Sequence, residues 1–205
     1  MKISRSMNLI VPADTDLGTC YIHSTPISKE VYREHFFVLS KTFAAIFSAG
    51  LGVVAGPRVA YLMLEKVARD DKVWEGESGV KNTLVNEIIR LSSLVYPVEG
   101  KGWDNQPLDV AIEKGIIDQD EALGELVFFT CVSSINKPDQ VIGLMETASG
   151  IWNSAITSLD VTAWMRSLTT STPAGNTGGT ENTLSATSST TAQDEGSVNS
   201  SLIPT

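Results

Sequence analysis

The segment SKEVYREHFFVLSKTFAAIFSA, residues 28–49, dominates the fold class that the sequence predicts. A helix can begin at Thr25-Pro26 or, two residues later, at Ser28, and Gly50 can terminate it. Large side chains recur along the segment at intervals of four residues, the spacing of one face of an α-helix. They are Val31, His35, Leu39, Phe43 and Phe47. The sequence therefore predicts a long amphipathic helix that ends near residue 49.

Shorter patterns on both sides complete the predicted layout. Two β-prone runs at 7–11 and 18–24 flank a polar stretch and predict a β-hairpin. In the third predicted helix, 80–96, four apolar residues share one face and Pro97 follows, where a helix is expected to stop. The loop that comes next is placed at 97–107. The helices predicted after the long one cover about 57–70, 80–96, 108–114, 118–135 and 138–149, and the sequence leaves open an extension of the last one beyond Gly150 to Trp152.

Composition changes at about Arg166. The residues from there to the end are rich in Ser, Thr and Gly and contain no aromatic residue. Such a segment buries too little apolar surface to offset the entropy of ordering its backbone. We therefore predict a mainly α protein with one compact α-helical domain over residues 1–165, which carries a small N-terminal β-hairpin at about 7–24. Residues 166–205 are predicted to form a disordered tail.

Charge and hydropathy exclude several partner classes. The net charge of -9 argues against nucleic-acid binding, which depends on clustered basic residues. No apolar run approaches the roughly 18 residues needed to span a bilayer, and the apolar stretch at 7–11 is too short for a signal peptide. The sequence thus predicts a soluble intracellular protein that contacts neither nucleic acid nor membrane. Cys20 and Cys131 lie in apolar runs and are expected to be reduced and buried.

The residues predict no catalytic group, no cofactor and no metal. In a phosphate-binding loop the last glycine is followed by lysine, whereas in the glycine-rich stretch 50–56 it is followed by Pro57. The stretch therefore favours a turn between packed helices. Cys20 and His23 are three apart on a predicted strand and would point to opposite faces, which argues against a zinc site. His35 belongs to the apolar stripe of the long helix and has no nucleophile in a recognisable setting. An enzyme is not expected.

Tryptophans outside the long helix are the most distinctive side chains. Trp103, Trp152 and Trp164 lie in predicted loops or near the tail. An aromatic residue at such a place either anchors a partner or packs its own loop onto the domain, and the sequence leaves both open. The turn after residue 50 is also apolar. The residues predicted to bind a partner are Leu51, Val53, Val54, Trp152 and Trp164.

Several stretches together resemble the tail assembly chaperones of long-tailed bacteriophages. The similarity extends over about residues 7–164 and is one of overall pattern, since none of the stretches is a chemical motif. The stretches are MNLIVP at 7–12, HSTPIS at 23–28, KTFAAI at 41–46, GLGVVAGPRVA at 50–60, GWD at 102–104, PLD at 107–109 and Phe128-Phe129.

This resemblance implies a protein without enzymatic activity that works in the host cytoplasm and is absent from the mature virion. Its partners would be the tape measure protein, which it keeps soluble, and the tail tube protein, whose polymerisation it promotes. Self-association is compatible with the same pattern. In many such phages a ribosomal frameshift also yields a longer form with an added C-terminal domain. The alternative is a minor structural protein of the tail or of the head-tail connector, and an enzyme regulator ranks third.

Overall fold

The computed structural model describes residues 7–169, in which groups of strands are separated by groups of helices. In chain order the elements are β1 (Asn8–Thr15), β2 (Gly18–Ser24), α1 (Lys29–Ser48), α2 (Gly52–Asp70), a π-helical turn (Lys81–Val85), α3 (Asn86–Arg90), β3 (Ser92–Val98), β4 (Gly102–Pro107), α4 (Leu108–Glu113), α5 (Gln119–Ile135), α6 (Pro138–Trp152), β5 (Ala155–Thr157) and α7 (Val161–Thr169).

The mainly α prediction is wrong, because the chain forms an α/β fold around a five-stranded antiparallel sheet of order β4-β3-β2-β1-β5. The predicted hairpin is present as β1 and β2, but it supplies only the centre of this sheet. The helix predicted over 80–96 ends at Arg90, and the chain then continues as β3. The predicted loop at 97–107 contains β4. Residues 92–98 form a strand because β3 pairs with β2. Local apolar spacing cannot reveal a partner strand so distant in sequence.

Helices cover one face of the sheet and form the main core with it. The strands contribute Leu9, Val11, Ile22 and Leu94, all of which are buried among side chains of the helical layer. Within that layer α2 and α5 pack against each other. Glycine makes their close approach possible, since a Cβ built on Gly124 would lie 2.6 Å from a backbone oxygen of α2.

The opposite face of the sheet carries a second, smaller group of buried residues. Ile10, His23 and Val95 are buried there, on the side away from the main core. Helix α7 packs across β4, and its Trp164 ring lies 5.2 Å from the ring of Tyr21, measured between centroids. The sheet therefore has helical cover on both faces.

Helix ends agree with the sequence at some positions and differ at others. The Ser28 side chain caps α1 by accepting a hydrogen bond from the Val31 N–H, so the helix begins at the second of the two starts that the sequence allows. The Asp118 side chain does the same for α5 by accepting from the Glu121 N–H. Helix α2 begins at Gly52 rather than at residue 57, so Pro57 lies inside it.

The described chain ends in α7. This helix runs to Thr169, past the predicted domain end at 165. The remainder of the predicted tail, from residue 170 onward, lies outside the described residues. Within 7–169 no helix is both long and apolar enough to cross a bilayer. Cys20 and Cys131 are free thiols, and both are buried, as predicted.

Candidate docking surface

An apolar surface forms where the amino end of α2 meets the carboxyl end of α6. We call it the α2–α6 surface, and its side chains are Leu51, Val53, Val54, Ile151 and Trp152. Val54 is 65% exposed and Ile151 is 49% exposed. Leu51 and Val53 are half-buried and pack against the main core, and Trp152 is also half-buried. Four of the five residues predicted to bind a partner thus belong to one surface.

A proline inside α2 explains how Trp152 is held there. Pro57 has no N–H, so the carbonyl of Val53, four residues earlier, lacks the donor that an α-helix would normally provide. The indole Nε1–H of Trp152 donates to that carbonyl at 3.4 Å. The distance is long for a hydrogen bond, which makes this contact weak but directional. Asn153, in a left-handed conformation with φ of 55°, ends α6 immediately afterwards.

The surface continues along the exposed side of α2. Val54, Arg58 and Leu62 are spaced by four residues, and all three are exposed. Clusters of large exposed apolar side chains commonly mark interaction sites, and a stripe along a helix suits the apolar face of a partner helix. None of the five defining side chains is ionisable. The surface can bind by apolar contact, with Arg58 at its edge as a cation.

Trp164 and Trp103 do not belong to this surface. Both lie on the other face of the sheet, where each packs against Tyr21: the Trp164 ring meets it edge-on, and the Trp103 ring is tilted at 5.6 Å. Local packing is therefore the role that the structure gives these two tryptophans. Strand β5 and the turn after it carry the chain around the sheet edge and so separate Trp164 from Trp152. Partner binding by Trp164 stays a prediction.

The residues predicted to bind a partner do not include two members of the stripe, Arg58 and Leu62. The four-residue spacing from Val54 is the sequence signal that identifies both.

Ionisable groups with perturbed pKa values lie apart from one another. Burial lowers the pKa of His35 on α1, partly offset by the neighbouring Glu34. Burial raises the pKa of the Cys131 thiol to about 12. It raises the pKa of Glu125 to about 7, and the Ser154 hydroxyl acts in the opposite direction. These groups form no acid–base pair, and each shift follows from the burial of the group itself.

Metal-ligating residue types are likewise dispersed. Cys20 is buried in the main core, and His23 is buried on the other face of the sheet. Between residues 7 and 169, no three His, Cys, Asp or Glu side chains come together as a metal site would require.

A recess of about 420 Å³ lies between α3, α4 and the start of α5. Its lining includes Arg90, Asp109 and Glu113. The guanidinium of Arg90 donates two hydrogen bonds to the Glu87 carboxylate, each of 2.7 Å, which neutralises the cation of the recess. The remaining acidic residues give it no evident ligand, so the α2–α6 surface is the stronger candidate.

Comparisons of this chain with protein-family models, with curated proteins and with solved structures found no match.

Proposed function

We propose that this protein is a tail assembly chaperone of a long-tailed bacteriophage. In this role it binds the tape measure protein, keeps that long chain soluble, and promotes polymerisation of the tail tube around it. It acts in the host cytoplasm and leaves the tail before the virion is complete. The observation that carries the proposal is the exposed apolar α2–α6 surface.

The position of this surface supports the proposal. The resembling stretch at 50–60 forms the turn before α2 and the first half of that helix. It therefore contains Leu51, Val53 and Val54. A chaperone for an elongated helical chain needs a surface that accepts apolar helix faces without a demanding sequence code. Apolar side chains on a fixed helix end meet that need.

The charge of the protein supports the same role. Its net charge of -9 opposes self-aggregation despite the exposed apolar groups. A partner helix with acidic residues beside its apolar stripe would gain additional attraction from Arg58, which lies one turn from Val54 on the exposed side of α2. Binding by such a helix is expected to be dominated by apolar contact and to depend only weakly on salt.

Co-expression with the tape measure protein tests the proposal. The wild-type chain should increase the soluble fraction of the tape measure protein, measured after centrifugation of the lysate. The double variant Val54→Asp/Ile151→Asp should lose that effect, because both side chains are exposed and the charges would oppose an apolar partner. Leu17→Asp is the matched control, since Leu17 is 46% exposed in the β1–β2 turn.

Two outcomes would reject parts of the proposal. Equal insolubility of the tape measure protein with and without the wild-type chain would rule out the chaperone function. Full activity of the double variant would be consistent with the chaperone function but would show that the α2–α6 surface does not carry it. Purified virions address the alternative role, because a stoichiometric amount of this protein in mature particles would identify a structural component instead.

A further inference from the structure

We draw no further inference here: the strongest candidate, the exposed aromatic pair Phe36 and Phe37 on the solvent side of α1, carries none, because nothing in the structure of residues 7–169 shows what covers it.

Discussion

Replacing Glu125 with glutamine should make the protein more stable above neutral pH. Glu125 lies on α5, and burial raises the pKa of its carboxyl from 4.5 to about 7, with the Ser154 hydroxyl acting against the shift. The difference, 7 minus 4.5, is about 2.5 units. At about 1.4 kcal/mol per unit, ionising this carboxyl in the folded protein costs on the order of 3 kcal/mol more than in the unfolded chain.

The sign of the pH dependence follows from the direction of that shift. Because the pKa is higher in the folded state, the folded protein binds the proton more tightly than the unfolded chain does. The stabilisation is fully present below about pH 4.5 and is lost as the pH rises through about 7. Glutamine stays neutral throughout. Glu125→Gln should therefore match wild type near pH 4.5 and exceed it at pH 8, by an amount on the order of 3 kcal/mol.

Urea unfolding followed by circular dichroism at pH 4.5 and at pH 8 measures this difference. Other titrating groups affect both proteins equally, so the quantity to compare is the free energy of unfolding of the variant minus that of wild type. Glu146→Gln is the control, since it makes the same chemical change at an exposed position on α6. The reasoning is refuted if the Glu125→Gln difference does not change with pH, or if the variant is the less stable protein at pH 8.

Five further substitutions probe packing, each measured by urea unfolding. Gly124→Ala would place a Cβ 2.6 Å from a backbone oxygen of α2 and should lower the free energy of unfolding by about 1–3 kcal/mol. Gly143→Ala, whose Cβ would have no atom within 4 Å, should raise it by roughly 0.5–1 kcal/mol. Equal effects would contradict this account of α2–α5 packing. Trp74→Ala should lower the free energy of unfolding by about 3–5 kcal/mol, because Trp74 is only 3% exposed. Its control, Val73→Ala at an exposed position, should lower it by less than about 0.5 kcal/mol. Trp152→Phe removes one weak hydrogen bond and should cost about 0.5–1 kcal/mol; a larger loss would make Trp152 a core residue.

Sequence predicted the helices whose signals are local. Helix α1 has its capping serine, its apolar stripe and a terminating glycine within 23 consecutive residues, 28–50. Helix α5 has its capping Asp118. The prediction of one helix over 80–96 is wrong because Leu84, Ile88 and Val95 keep a helical spacing, although the first two lie before the change to β3 and the third lies after it. What makes β3 a strand is its ladder to β2, more than 60 residues earlier, and spacing within one segment carries no trace of it.

The α2–α6 surface was predictable in its parts but not in its assembly. The apolar residues after Gly50 and the tryptophan at position 152 can be identified in the sequence. Their contact requires α6 to lie against α2, which is a property of tertiary packing. The hydrogen bond from the Trp152 indole to the Val53 carbonyl depends on Pro57 lying inside α2, because a proline leaves the carbonyl four residues earlier without a donor. The sequence predicted this helix to begin at Pro57 and so gave no sign of that carbonyl.

The double cover of the sheet has a clearer signal in the sequence. A strand with one solvent-exposed face alternates apolar and polar residues, whereas a strand that is buried on both faces has consecutive apolar residues. Leu9, Ile10 and Val11 are such a run, and Leu94 and Val95 form another. In the structure the members of each run alternate between the main core and the opposite face of the sheet. Two runs of this kind already require a second covering element, and the amphipathic spacing of α7 identifies the segment that meets the requirement.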